Sequence, residues 1–389
     1  MMKKNIVILG STGSIGKKTL DIIRSNKNKF SIKLLSTNKN VNLIIKQAIE
    51  FNVNNIIISD YKSYLNAKIK FKNKNFNISN NFLDLIKIFK KKKIYYTMVA
   101  ISGLDGLRPI LYSIEFSKNL AIVNKEPLIC GWSLIKKKLD KFNSNFIPID
   151  SEHFSIFSVL NSKNKDNIEK VYITASGGPF LNYPKNKFDK INVKNALKHP
   201  NWKMGKKISI DSATLMNKVF EVIEARNIFN LSLNKISILT HPKSYIHSII
   251  KFKNGLIDLV AHDPDMKIPI YNSLLNNTLK PLSNSKIKFN ILNDLRFNEV
   301  DKNKFPLVKI LNNIPDYSSL FDTIIVVIND YFVNLFLEKK ISFKKLMFLI
   351  NTLIISNDFK KYKKIKVDKV DDIYNLRDYV YLKLKKMSI

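Results

Sequence analysis

The chain has 389 residues, of which 45% are apolar, enough for packed cores and too many for global disorder. No run approaches the roughly 18 uninterrupted apolar residues of a membrane span, and one cysteine, Cys130, excludes an intramolecular disulfide and a thiolate zinc cage. The net charge of +35 invites a nucleic-acid reading, but only five of the 66 basic residues are Arg and the lysines are spread along the whole chain. A specific nucleic-acid reader would use the Arg fork at phosphates and base edges, so the charge reads as coding bias with loose polyanion attraction. The apolar run Ile6–Leu9 is too short for a secretory signal; a soluble, reducing, cytoplasmic setting without membrane contact is expected.

The first 150 residues alternate short β-branched runs with helical stretches. Strands are expected at Asn5–Leu9, Ile32–Leu35, Asn55–Ser59, Thr97–Ile101, Leu120–Val123 and Phe146–Ile149. Helices are expected at Ser14–Ser25, Val41–Phe51, Leu107–Phe116 and Leu128–Phe142. That alternation predicts a Rossmann-like, doubly wound parallel sheet over residues 1–150 in an α/β protein.

Residues 151–275 read as a central α+β domain, with strands at Val171–Thr174 and Lys235–Leu239 and helices at Ser155–Leu160 and Thr214–Phe229. Asn254-Gly255 between Ile246–Lys253 and Leu256–His262 is a strong hairpin signal. The polar stretch 276–301 reads as a linker. Helices at Phe305–Leu311, Thr323–Glu338, Ser342–Ser356 and Asp371–Met387 make residues 302–389 a small C-terminal helical domain.

Three segments carry candidate chemistry. Gly10-Ser11-Thr12-Gly13-Ser14-Ile15-Gly16 joins the first strand to the first helix, and holds three of ten glycines where chance would place about 0.2. Such a loop lets backbone amides at a helix N-terminus approach a pyrophosphate. The second strand ends in Ser36-Thr37-Asn38-Lys39-Asn40, with a cation where an NAD site would carry a carboxylate, so NADPH is favoured. Asp150-Ser151-Glu152-His153 follows a strand: either an extended pair of carboxylates for Mg²⁺ or Mn²⁺, or a helix N-terminus with Asp150 or Ser151 as its cap.

Asp211 to Glu221 opens a further helix on which Asn217 and Glu221 are i,i+4 neighbours beside Lys218. Glu221 is a candidate oxygen ligand, and Ser212, Asn217 and Lys218 candidate phosphate or hydroxyl contacts; an ordinary solvated helix face is the alternative. Ser176-Gly177-Gly178-Pro179 offers an anion nest, and His199-Pro200-Asn201-Trp202-Lys203-Met204-Gly205 is a lid or a packed Trp loop. His241, His247 and His262 read as structural.

Together these segments resemble the 1-deoxy-D-xylulose 5-phosphate reductoisomerase family. The resemblance is carried by GSTGSIG (10–16), NKN (38–40), NKE (124–126), PIDSEH (148–153), SGGPF (176–180), the long HPNWKMGKKISIDSATLMNK (199–218), EARNIF (224–229), HPKSYIHS (241–248) and PDM (264–266). It implies conversion of 1-deoxy-D-xylulose 5-phosphate to 2-C-methyl-D-erythritol 4-phosphate for isoprenoid synthesis, by metal-assisted skeletal rearrangement followed by hydride transfer from NADPH, in a homodimer.

It also implies site residues. Thr12, Gly13, Ser14, Ile15, Asn38, Lys39, Asn40, Asn124, Glu126 and Gly205 would contact NADPH, and Asp150, Glu152 and Glu221 the divalent metal (Mn²⁺ or Mg²⁺). Lys125, Ser151, Glu152, Ser176, His199, Ser212, Asn217, Lys218 and Glu221 would contact substrate, with Lys125, Glu152, His199 and Glu221 catalytic; Trp202 and Met204 would belong to a flap. Four positions depart from the family pattern: Asn38 stands for a Gly, and Asn tolerates a positive φ better than other non-Gly residues; Pro127 for a Ser, acceptable at the first position of a helix; Val219 for a Gly; and Asn329-Asp330 for Asn-Glu.

Overall fold

The computed structural model describes residues 2–90, 93–202, 204–275, 282 and 286–387. Its contacts separate two units: Met1–Pro127 with Leu134–Phe154 and Met266–Asn284, and Leu128–Ser133 with Ser155–Asp265 and Ser285–Ile389.

The first unit carries strands β1 (Lys4–Leu9), β2 (Phe30–Thr37), β3 (Asn55–Ile58), β4 (Asn77–Ser79), β5 (Ile94–Val99), β6 (Ser117–Ile122) and β7 (Asn145–Pro148). They form one seven-stranded sheet in the order β4-β3-β2-β1-β5-β6-β7, parallel at every pairing. The expected doubly wound sheet is therefore present. The last four residues of β1 and β5 are buried without alternation, as strands covered on both faces must be. Helices α1 (Ser14–Arg24), α2 (Val41–Phe51), α3 (Tyr61–Lys70), α4 (Asp84–Ile88) and α5 (Leu107–Ile114) connect them, followed by α6 (Lys125–Phe142) and α7 (Ser151–Leu160), both of which run on into the second unit. The order reverses between β1 and β5, where an open sheet of this kind offers its ligand crevice.

In the second unit, β8 (Ile168–Ala175), β9 (Ile236–Thr240), β10 (Ile246–Phe252), β11 (Ile257–Ala261) and β12 (Asn298–Glu299) form a mixed sheet ordered β11-β10-β8-β9-β12. The Asn254-Gly255 hairpin joins β10 to β11, with Gly255 at φ +87°. Its helices are α8 (Val193–Ala196), α9 (Lys206–Ala213) and α10 (Met216–Phe229), the last packed on β8 and β9. Later in the chain, α11 (Lys267–Leu274) belongs to the first unit, where Ile270 and Leu274 enter the core.

The remaining helices are α12 (Phe289–Leu292), α13 (Leu320–Leu337), α14 (Phe343–Ile355) and α15 (Val370–Lys386). By length and apolarity α13 matches a membrane span, but 72% of it is buried inside the protein, so it is the core helix against which α14 and α15 pack. Ser319 and Asp322 cap it reciprocally. Of the expected linker 276–301, residues 276–281 and 283–285 lie outside the described residues; of the other seventeen, α12 and β12 take six and the rest is irregular.

Several expectations are corrected. The helix expected over Thr214–Phe229 is α10, which begins two residues later because Leu215 turns left-handed (φ 61°); a separate helix, α9, precedes it, and Asp211 lies near the end of α9 rather than opening a helix. The alternating Lys-Ile-Ser-Ile pattern hid α9. Pro127 occupies the third position of α6, not the first; it is harmless there because the first four amides of a helix have no carbonyl partner. Asn38 is absent from the left-handed residues among those described, so it does not imitate a glycine.

Candidate active site

In the first unit the glycine loop closes tightly on β1. Gly10 has φ +87°, and a Cβ there would lie 2.4 Å from the Ala100 carbonyl oxygen; one at Gly16 would lie 2.3 Å from the Gly10 oxygen. Neither position can carry a side chain. The loop is strapped to the end of β2: the Gly10 amide donates to Ser36 Oγ (2.9 Å), and the hydroxyls of Thr12 and Thr37 are 2.6 Å apart. Ser11 Oγ donates to Gln47 Oε1 (2.8 Å), and Gln47 Nε2 donates back to the Ser11 carbonyl (3.1 Å). Gln47 and Thr37 had no sequence signal beyond a polar residue on an otherwise apolar face.

Gly13 and Ser14 are exposed, and α1 begins with no side-chain cap and no acidic residue in its first turn. Its first amides thus face outward with the positive end of the helix dipole. Asn38, Lys39 and Asn40 are exposed at the end of β2. Asn38 donates to Ser59 Oγ (2.9 Å), Lys39 lies 3.9 Å from Asp60, and the Asn40 side chain caps α2 by accepting from the Leu43 amide.

The start of α6 and the start of α7 meet within the same unit. Asn124 Nδ2 donates to the carbonyls of Ile101 (2.6 Å) and Gly103 (2.5 Å), fixing the approach to Lys125 and Glu126. Lys125 pairs with Asp150. Of the two readings left open for 150–153, the helix N-terminus is the one observed: Asp150 Oδ1 accepts from the Glu152 amide at 3.3 Å, and α7 starts at Ser151. Ser151 Oγ donates to Glu152 Oε2 (2.5 Å), and His153 Nδ1 lies 3.2 Å from Asp150. Glu152 is 8% exposed. A half-buried and a buried carboxylate, held by a lysine and a hydroxyl, are a donor set that suits a hard divalent cation.

In the second unit the Ser176-Gly177-Gly178 turn sits against the end of α9, since a Cβ on Gly178 (φ +64°) would lie 2.8 Å from the Ser212 carbonyl oxygen. Ser176 Oγ accepts from the Gly178 amide and lies 3.1 Å from His199 Nε2. His199 Nδ1 accepts from the amides of Asn201 (3.1 Å) and Trp202 (3.0 Å). Nε2 is therefore the protonated nitrogen of the neutral ring. Burial, reinforced by the Lys218 charge, pushes the imidazole down to about 4.

On α10, Asn217 donates to Glu221 Oε1 (2.5 Å) and Lys218 to Glu221 Oε2 (2.7 Å). Lys218 and Glu221 are buried, so the bland solvated-face reading does not hold. Val219 is fully buried, in the body of the unit. Gly205 is exposed at the start of α9. Asn329, which no motif singled out as a site residue, donates to Asp211 Oδ1 (2.7 Å), while Asp330 pairs with Lys207 (2.7 Å), fixing α9 to α13.

The likeness of this chain to known proteins runs along its whole length. The sequence profile for 1-deoxy-D-xylulose 5-phosphate reductoisomerase matches residues 6–131, that for its C-terminal domain 146–229, and that for the DXP reductoisomerase C-terminal domain 262–380. The curated 1-deoxy-D-xylulose 5-phosphate reductoisomerase of Pelagibacter ubique (strain HTCC1062) is 52% identical over 387 residues, covering 99% of this chain and 100% of that one. The chain belongs to the 1-deoxy-D-xylulose 5-phosphate reductoisomerase family.

A second reductoisomerase, from Sulfurihydrogenibium sp. (strain YO3AOP1), is 38% identical over 95% of this chain and 94% of its own. Among solved reductoisomerases, that of Zymomonas mobilis in complex with NADPH superposes with a TM-score of 0.87 at 28% identity, covering both chains fully. A reductoisomerase in complex with NADPH, fosmidomycin and magnesium gives 0.89 at 29% identity, covering 98% of this chain and 97% of that one.

Proposed function

We propose that the segments described above form the working site of an NADPH- and divalent-metal-dependent reductoisomerase that converts 1-deoxy-D-xylulose 5-phosphate to 2-C-methyl-D-erythritol 4-phosphate. The full-length agreement with reductoisomerases carries the assignment of activity. When bound, NADPH supplies the hydride and the divalent ion (Mg²⁺ or Mn²⁺) supplies Lewis-acid polarisation of the substrate oxygens.

The chain's own residues do the rest. The open amides of Ser14 and Ile15, with Thr12 and Gly13, hold the pyrophosphate; Lys39, flanked by Asn38 and Asn40, faces the 2′-phosphate. Asn124, Glu126 and Gly205 complete the NADPH contacts. Asp150, Glu152 and Glu221 are the metal ligands, and Lys125 and Lys218, each already paired with one of those carboxylates, balance their charge. Ser176, Ser212, Asn217 and Lys218 take the substrate phosphate, Ser151 its hydroxyls. His199, neutral and with its proton on Nε2, donates toward Ser176 and the substrate rather than adding a second full positive charge beside Lys218. In this reading residues 1–150 bind NADPH, 151–275 carry the catalytic and connecting elements, and 302–389 form a helical domain reached through 276–301. The enzyme works as a cytoplasmic homodimer.

Purified chain mixed with the ketose phosphate, NADPH and Mn²⁺ should consume NADPH and form the branched polyol phosphate, and chelation should stop it. Folded protein that leaves NADPH untouched overturns the assignment. Glu221→Gln should fold yet lose about 10²-fold in turnover, the scale of one transition-state electrostatic contact; unchanged turnover removes Glu221 from the metal set.

A further inference from the structure

His262 lies outside every segment that carries the family resemblance, yet it sits at one end of a column of rings within the second unit. Its imidazole stacks on that of His247, with centroids 3.8 Å apart and planes inclined by 16°. Carbonyl groups orient both rings: His247 Nε2 is 3.2 Å from the His262 oxygen, and His262 Nδ1 is 2.8 Å from the Asp263 oxygen. The protons therefore sit on Nε2 of His247 and Nδ1 of His262. The β10–β11 register shifts between Ile246 and Ser248, so His247 occupies a bulge, the device by which a strand re-aims a side chain.

Trp202 meets His247 edge-on at 6.3 Å and 72°. From Trp202 the column continues through its amide to His199 Nδ1 (3.0 Å) and from His199 Nε2 to Ser176 Oγ (3.1 Å). Asn201 holds the same loop from the side, donating to the Pro242 carbonyl (2.8 Å) and Ser244 Oγ (2.7 Å). The 199–202 segment is thus held through Asn201 as well as through Trp202.

We infer that His262 is a positioning residue: stacked behind His247, it forms the platform that holds Trp202, and through it His199, in the orientation that receives substrate. This rests on the reading of Trp202 as part of the substrate flap, but its first readout needs neither substrate nor activity. His262 cannot act on the reaction directly, because the rings of His247, Trp202 and His199 stand between it and Ser176. Removing its ring frees His247 to rock, and Trp202 loses its fixed edge-to-face partner.

The test uses full-length protein with Trp132→Phe, so that Trp202 is the only tryptophan emitting. Against that parent, His262→Ala and His262→Leu should make Trp202 emission more accessible to acrylamide. They should raise KM for the ketose phosphate about two- to tenfold, the scale of one aromatic contact, with kcat and KM for NADPH little changed. His262→Phe keeps a flat ring and should restore both readouts. Should His262→Ala not fold, the Leu and Phe variants decide the matter. Identical quenching in the Leu variant and the parent overturns the inference. So does a loss that Phe fails to rescue. Quenching that follows the prediction in a protein without reductoisomerase turnover would instead count against the proposed function alone.

Discussion

The glycine loop of the first unit and the 176–226 region of the second fix their dipoles and charges by opposite means. The loop uses backbone: two glycines that admit no Cβ, an uncapped helix start, and exposed amides. The second region uses side chains withdrawn from water, with Lys218 and Glu221 paired on one helix and Arg226 buried one turn further on. A backbone device is fixed by sterics and tolerates little at its glycines, while its outer positions are free to vary. A buried-charge device is fixed by mutual neutralisation, so each member depends on its partner.

The largest effect that would separate the two lies at Arg226, whose guanidinium is 2.6 Å from Asp322 with both side chains buried. Burial raises the Asp322 carboxyl above its usual range, and Arg226 is the main influence pulling it back. Arg226→Ala should destabilise the chain by about 3–5 kcal/mol, because it strands a buried carboxylate. Asp322→Asn added to that variant should recover part of the loss in a denaturant titration; full additivity would mean the pair is not coupled.

In the loop, Gly10→Ala should cost about 2–4 kcal/mol through a positive φ and a clash with the Ala100 carbonyl. Gly13→Ala, whose φ is −74° and whose nearest foreign atom would be 3.4 Å away, should leave the melting temperature unchanged and show itself in KM for NADPH. Equal destabilisation by both would refute the division between a rigid inner and an open outer loop.

A pH series sharpens the account of the second region. His199 is held down to about 4, below the 6.5 of an unfolded histidine, so the unfolded chain binds a proton that the folded chain refuses. Its contribution to stability is complete above the unfolded value and is lost as pH falls toward the folded one. The melting temperature should therefore drop more over that window in the parent than in His199→Asn. The smallest effect belongs to Asn38→Gly. With no left-handed backbone to relieve, glycine there should cost about 0.5–1 kcal/mol in chain entropy, and the Ser59 contact as well.

Much of this was legible along the chain. The uninterrupted Ile6–Leu9 run identified the central strand β1, because a strand covered on both faces has no polar side to show. The hairpin was readable because Asn-Gly matches its turn, and α13 to α15 because their apolar spacing is helical. The i,i+4 relation of Asn217 and Glu221 was visible too, but not the burial that makes it matter. Helix α9 was missed because Lys-Ile-Ser-Ile alternates like a strand; in the fold Asn329 and Asp330 of α13 hold its Asp211 and Lys207.

What the order of residues determined on its own was local: which runs form strands, where glycine must stand, which carboxylates and lysines are available. Tertiary structure alone decided that Leu215 breaks a helix, that Asp150 pairs with Lys125 while capping α7, and that His247 and His262 stack beneath Trp202. The reason is physical. Propensity and periodicity act over a few residues, whereas burial, charge pairing and ring stacking join residues far apart in the chain and have no signature until the chain has closed on itself.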